Sequence, residues 1–137
     1  MTAVAPPVAV AIGASTATML AMDAIWLSLR AKYHYDLMKS VQGSAPEIRV
    51  VPALLVYVLM PLAVWFFAIR TSKSVKEAAV TGGLLGLSMY GVYDLTNLAS
   101  LKAWTIEMSI TDTLWGSTIC AVAAAVGFYA KTRFTNK

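Results

Sequence analysis

Charged residues are scarce in this chain: only 13% of its residues are Asp, Glu, Lys or Arg, against about 25% in typical soluble domains. Hydrophobic residues make up 58% of a chain of 137 residues. A chain of this length is too short to hide so much apolar surface in a water-soluble core. The shortage of charge therefore excludes a soluble globular domain and indicates a membrane protein.

Histidine and cysteine are scarcer still, with one of each, His34 and Cys120. A haem or zinc site on paired histidines and an internal disulfide are therefore excluded, and the sequence predicts no cofactor. The chain also lacks a Ser-His-Asp set and a phosphate-binding glycine loop. The net charge of +4 comes from basic residues that flank apolar segments. This placement suits lipid headgroups, so we expect no nucleic-acid partner.

Four long apolar runs are the main feature that the sequence does have. Each approaches the ~20 residues that cross ~30 Å of hydrocarbon. We expect spans at residues 8–29, 51–69, 77–98 and 110–130. The first run lacks the basic start of a signal peptide, so we interpret it as a retained helix. The predicted fold class is all-α, with residues 1–137 forming a single four-helix transmembrane bundle.

A further helical segment is predicted after helix 1. Residues 30–42 contain no helix breaker, and Tyr33, Leu37 and Val41 recur every four residues on one face. We therefore expect an interfacial amphipathic helix that ends at Gly43, where a left-handed backbone is tolerated.

Two prolines shape the prediction for helix 2. Pro52 suits the first turn of that helix, whereas Pro61 lies in its middle and is expected to kink it. The short basic link at residues 70–76 then makes helices 2 and 3 antiparallel neighbours.

Small residues recur every four positions along one face of helices 3 and 4. The two stripes are Ala78, Gly82, Gly86, Tyr90 and Asp94 on helix 3, and Asp112, Gly116, Cys120 and Ala124 on helix 4. Small residues at this spacing allow two helix backbones to approach closely. We therefore interpret Gly82, Gly86 and Gly116 as helix-packing residues, and both stripes run into an aspartate.

Three stretches carry a family resemblance: "DAIWL" (23–27), "GVYDLTNLASLKAW" (91–104) and "TDTLWGS" (111–117). They resemble a family of small four-span membrane proteins classed as domain-of-unknown-function family 2177. The resemblance extends from helix 1 through helix 4. It implies a compact four-helix membrane protein and points to Asp23, Asp94, Asn97 and Asp112, but it implies no activity.

The aspartates within the apolar runs are the candidate functional residues, because a carboxylate in hydrocarbon is costly. Asp23 and Asp94 lie near the ends of helices that run in the same direction, and Asp112 lies near the start of helix 4. The sequence therefore predicts one cluster under the connectors 30–50 and 99–108. Asp112, three residues after Ser109, is alternatively interpreted as a helix cap.

Neighbours of these acids are also predicted. Within helix 3, Tyr90 and Asn97 are in reach of Asp94. Three nearby carboxylates cannot all remain charged without cations. We expect at least one to be protonated, bound to a hard cation such as Ca²⁺ or Mg²⁺, or paired with a basic residue. The candidate charge partners are Arg30, Arg49 and Lys102. Three tryptophans near the same helix ends are interpreted as belt or packing residues: Trp26, Trp104 and Trp115.

These residues are compatible with three functions. The acids form a structural polar clamp in an accessory subunit or self-associating protein, whose small-residue stripes dock onto a larger membrane complex or its own copies. Alternatively, they form the site of a small proton- or cation-linked permeation or transport protein. A second alternative is a lipid-acting membrane enzyme with an aspartate as acid or base.

The expected location is multi-pass in a lipid bilayer, with a membrane-protein complex or homo-oligomer as the other partner considered. An even number of spans places both termini on the same side. Termini in the cytoplasm put six Lys and Arg residues on the inside and five on the outside. This small excess favours cytoplasmic termini.

Overall fold

A computed structural model describes residues 6–135, which form four α-helices. Their bounds are Pro6–Gln42 for α1, Val50–Ala63 for α2, Val75–Ser100 for α3 and Ile106–Thr135 for α4. A π-helical segment, Val64–Ile69, continues α2. No strand occurs in the part of the chain that the structure describes, and the predicted all-α bundle is confirmed. Lys137, one of the predicted flanking basic residues, lies outside the described residues.

Three of the helical segments are long and apolar enough to cross a membrane: Pro6–Gln42, Val50–Ile69 and Ile106–Thr135. The fourth, α3, has 26 residues but does not reach the same apolarity. Its glycines and Asp94 lower its hydropathy, and they lie on the face that is buried in the bundle. Part of the reduced apolarity of α3 therefore lies on its protein-facing side.

The α3–α4 interface joins the two small-residue stripes in antiparallel register. A Cβ built on Gly82 would lie 2.6 Å from Ala124 Cβ, and one on Gly86 would lie 2.2 Å from the carbonyl oxygen of Gly116. Only glycine permits such approach, and Gly82, Gly86 and Gly116 all lie in this contact. The stripes are occupied within the chain, which removes the surface that the docking hypothesis assigned to a partner.

Helix α4 also packs closely on α1. The hydroxyl of Ser15 donates a hydrogen bond to the carbonyl of Ala123 at 2.9 Å. A Cβ on Gly127 would lie 2.3 Å from Ser15 Oγ, so this glycine is a further packing residue, outside the two predicted stripes. With α3 on one side and α1 on the other, α4 is the central helix of the bundle.

Helix α2 changes its hydrogen-bonding pattern after Pro61. The ring nitrogen of proline has no hydrogen to donate to the preceding turn. From Val64 to Ile69 the chain is π-helical, and Arg70 N–H donates to the carbonyl of Trp65 at 2.9 Å. The disturbance expected at Pro61 therefore appears as a wider helical turn just after it. Pro52 lies in the first turn of α2, as predicted.

The helical segment predicted after helix 1 continues α1 without a break. At about 1.5 Å per residue, the 37 residues of α1 extend about 55 Å. The helix ends where Gly43 adopts a φ of 75°, as predicted. The apolar face of the extension packs onto the α3–α4 connector in a second core that contains Tyr33, Leu37, Met38, Val41, Trp104 and Met108. The position of this extension at a lipid interface remains a prediction.

Helix α4 begins at Ile106, four residues before the predicted start of span 4. Thr105 Oγ1 accepts the Met108 N–H at 3.0 Å and lies 2.6 Å from Tyr33 Oη. Thr105 therefore caps α4, and Asp112 lies in the second turn, where the backbone N–H groups already bond within the helix. The capping interpretation of Asp112 is wrong for this reason.

Candidate functional site

Asp94 is the most deeply buried acid, with 0% of its surface exposed. Its Oδ2 accepts a hydrogen bond from Thr113 Oγ1 at 3.5 Å, whereas Oδ1 has no partner. The Trp104 side chain lies beside this carboxyl group, but its Nε1 is buried without a hydrogen bond of good geometry. The carboxyl group of Asp94 is therefore only partly satisfied by its donors.

Asp112 on α4 completes a pair with Asp94. The two carboxyl groups lie within hydrogen-bonding reach of each other across the α3–α4 interface. No Lys or Arg within residues 6–135 forms an ion pair with either group. Two carboxyl groups in contact repel when both are ionised, whereas a proton held between them converts the repulsion into a hydrogen bond. The arrangement is suited to holding one proton.

Asp23 occupies a different environment. Its Oδ2 accepts from Tyr57 Oη at 3.0 Å, and its Oδ1 accepts from Trp115 Nε1 at 3.1 Å. These bonds connect α1 to α2 and α4 and satisfy both oxygens of an ionised carboxylate. Asp23 lies close enough to Asp112 for their charges to repel. All three acids thus lie at one end of the bundle, but only Asp94 and Asp112 form a pair.

The predicted charge partners do not reach the aspartates. Arg30 donates to Glu107 Oε1 at 3.0 Å, and its guanidinium lies 4.2 Å from the centre of the Tyr33 ring. Arg49 and Lys102 are exposed. In the described part of the chain, none of these three cations pairs with Asp23, Asp94 or Asp112. The prediction is wrong because Arg30 is nearer to the first turn of α4, where Glu107 competes for it.

A metal site would need a wider set of ligands than the pair provides. Among residues 6–135, no group of three or more His, Cys, Asp and Glu side chains is positioned to hold an ion. Asp23 is drawn away by its bonds to Tyr57 and Trp115. The hard-cation alternative therefore lacks a ligand set in the described residues.

The predicted neighbours on α3 have other roles. The Tyr90 ring packs over Gly116, and its hydroxyl lies 3.7 Å from Met60 Sδ. The backbone carbonyl of Asn97 accepts the N–H of Leu101 at 2.8 Å and ends the helix. Neither side chain forms a hydrogen bond to Asp94 in the described structure, so these predicted contacts are wrong.

A groove of about 370 Å³ leads to the acid pair between α2 and α3. Its walls are mostly apolar and include Leu59, Met89 and Tyr93, while Asp112 contributes the one carboxyl group in the lining. Asp112 is half-buried and Asp94 lies fully buried behind it. This groove therefore reaches the pair through Asp112.

Residues 8–129 match the family described as "Predicted membrane protein (DUF2177)". The chain belongs to this family. The match covers most of the chain and confirms both the resemblance and the membrane class. No curated protein and no solved structure matches the chain.

In this member of the DUF2177 family, four residues contact the aspartates: Thr113, Trp104, Tyr57 and Trp115. Thr113 and Tyr57 were not predicted, and the two tryptophans were predicted only as belt or packing residues. Tyr57 offered a signal, since its hydroxyl needs a partner inside an apolar run. Trp115 offered another, because it lies three residues after Asp112 on the same helix face. Trp26 stacks on Trp115 with ring centres 4.7 Å apart, which makes both of them packing residues.

The pKa of His34, which lies beyond the first predicted span, is perturbed. Burial, and secondarily the charge of Arg30, lower the pKa of His34. Its Nε2 is buried without a hydrogen-bond partner. Folding therefore favours the neutral form of His34 in the extension of α1.

Proposed function

We propose that the protein is a small proton-linked permeation or transport protein in which Asp94 and Asp112 share and exchange one proton. The observation that carries the proposal is the contact between these two carboxyl groups without a neighbouring cation. Such a contact is costly in hydrocarbon unless a proton lies between the groups. A purely structural role would be served more cheaply by apolar side chains of similar volume.

The unequal exposure of the two acids supports exchange of that proton. Asp112 lines the groove, while Asp94 is buried and holds an unpartnered oxygen. A proton that binds Asp112 has an acceptor, Asp94, directly behind it. The site has the two features that a relay needs, namely an accessible group and a protected one.

We further propose that all four helices span the membrane, with both termini on the cytoplasmic side. The outward residues of α3 support its inclusion, since Val92 and Leu95 are 68% and 64% exposed while Asp94 is buried. A helix with an apolar outer face and a polar inner face suits a span that is packed in a bundle. At about 1.5 Å per residue, its 26 residues exceed the ~30 Å of the hydrocarbon core.

The polar-clamp function is favoured for Asp23 alone. Its two oxygens are occupied by donors from α2 and α4, so the residue joins three helices. This arrangement supports a structural role beside the proton site. The two functions therefore belong to different acids of the same cluster.

Proton flux into proteoliposomes tests the proposal. A potassium diffusion potential drives the flux, and a pH-sensitive dye in the lumen reports it. We expect Asp94→Asn and Asp112→Asn each to slow the flux about tenfold or more, the effect of a barrier raised by only about 1.4 kcal/mol. Asp36→Asn is the matched control, because it removes an exposed carboxylate paired with Lys32 and should leave the flux unchanged. Equal flux in all variants, or none in the wild type, contradicts the proposal.

A further inference from the structure

The groove between α2 and α3 has the size and lining of a small-molecule site. Its volume of about 370 Å³ falls within the range of about 300–1,000 Å³ that is usual for ligand pockets. Leu59 and Met89, both on its walls, are exposed at the surface of the bundle. A molecule that reaches this groove from the bilayer must therefore have an apolar body.

The charged groups around the groove determine which charge a bound molecule should carry. Asp112 lines it, Asp94 contacts Asp112 from behind, and Asp23 lies near enough to act on Asp112. No lysine or arginine in residues 6–135 pairs with any of them. Because Asp94 Oδ1 is also buried and unpartnered, the inner end of the groove is complementary to a positive charge.

Aromatic side chains add a second preference for a cation. Tyr90 and Tyr93 both line the groove. The faces of tyrosine rings attract ammonium-type and other diffuse cations, most strongly where water is excluded. A carboxylate, two aromatic rings and apolar walls thus lie together in one site.

We propose that this groove binds a lipophilic cation, whose positive charge replaces the proton held by Asp94 and Asp112. The inference rests on the proposed function, because it names the substrate class of the same proton site. As one cation binds, one proton leaves the pair for the solvent, so the net charge of the site is unchanged. No covalent bond forms or breaks apart from the bond between that proton and the carboxyl oxygen.

Competition between proton and cation makes binding depend on pH. The ionisable groups near Asp112 are Asp94 and Tyr90 from α3 and Asp23 from α1. Asp23 in turn accepts a hydrogen bond from Tyr57 of α2. The tyrosines remain neutral near neutral pH. Affinity for the cation should therefore rise with pH as the carboxyl pair loses its proton.

Tetraphenylphosphonium is a suitable probe, because tetraphenylborate has the same shape and the opposite charge. Binding to the purified protein in detergent is measured by equilibrium dialysis. We expect the phosphonium to bind more tightly as pH rises and to release one proton per cation in weakly buffered solution. Asp112→Asn should weaken binding about tenfold or more, equivalent to the loss of about 1.4 kcal/mol. Tetraphenylborate is dialysed in separate samples, since the two ions pair with each other, and it should not bind.

Two tryptophan variants distinguish binding in the groove from general partition of the probe into detergent. Leu59→Trp adds bulk to the wall of the groove and should weaken phosphonium binding. Val80→Trp makes the matched change on the exposed face of α3, about 13 Å along the helix from Met89, and should leave binding unchanged. Equal binding by both variants, or by both probes, overturns the ligand proposal. If proton flux persists without phosphonium binding, the cation inference alone fails; if the flux is absent, the proposed function fails.

Discussion

The aromatic ring of Tyr90 lies directly over the α-carbon of Gly116, where an added Cβ would lie 2.0 Å from Tyr90 Cγ. This contact fixes the register of α3 against α4. One helical turn away from this contact, the same register places Asp94 of α3 against Asp112 of α4. The spacing of the acid pair therefore depends on a glycine that carries no chemistry itself.

Gly116→Ala should destabilise the bundle, because the new methyl group overlaps the Tyr90 ring. We expect a loss of about 1–3 kcal/mol, the usual cost of overpacking, seen as a lower midpoint of thermal unfolding in detergent. Gly13→Ala is the matched control, since its Cβ would meet no atom within 4 Å. Equal midpoints for the two variants would show that the α3–α4 contact is not tight.

Tyr57→Phe should weaken the connection between α1 and α2, because it removes the hydroxyl that donates to Asp23 at 3.0 Å. Hydrogen bonds between membrane helices contribute about 0.6–2 kcal/mol, so we expect a loss of that size in the free energy of unfolding. Tyr35→Phe is the control, because Tyr35 is exposed. In a double-mutant cycle with Asp23→Ala, zero coupling between the two positions would show that the bond is absent.

The helices and their packing were predictable because they depend on local patterns. Apolar runs of spanning length indicated the four helices, and the four-residue repeat through Gly82 and Gly86 indicated the tight α3–α4 interface. Both signals lie within short stretches of sequence and arise from helix geometry. The position of the aspartates at one end followed from the alternating direction of the helices.

The partners of the polar groups were not predictable in the same way. Arg30 bonds Glu107, and Asp23 bonds Trp115, in each case across more than seventy residues of chain. Which of several nearby donors is chosen depends on side-chain reach in the folded bundle, which local periodicity does not contain. The early start of α4 was missed because Thr105 caps the helix before its apolar run begins.

The stability of the extension should depend on pH through His34. Burial and Arg30 lower its pKa in the folded protein, so the unfolded chain binds more protons as pH falls through about 6.5. The free energy of unfolding should therefore be fully retained above that pH and should decrease below it. His34→Gln should show a smaller decrease between neutral and mildly acidic pH. An identical pH dependence of thermal unfolding in the two proteins would refute this.

The orientation of the bundle can be measured by labelling single cysteines in intact cells. With both termini in the cytoplasm, Thr135→Cys should react with a membrane-impermeant maleimide only after permeabilisation. Lys102→Cys, in the α3–α4 connector, should react without it. Native Cys120 is 0% exposed and should contribute little background. Labelling of Thr135→Cys in intact cells would reverse the orientation.

The proton held between Asp94 and Asp112 is the central claim, and infrared spectroscopy of the purified protein tests it most directly. A protonated carboxyl group has a carbonyl stretch that is distinct from the bands of a carboxylate. We expect this band at neutral pH in the wild type and in Asp23→Asn, because Asp23 bonds Tyr57 and Trp115 and does not belong to the pair. The band should be lost at neutral pH in Asp94→Asn and in Asp112→Asn. Its absence from the wild type, or its persistence in both of these variants, would contradict the shared proton.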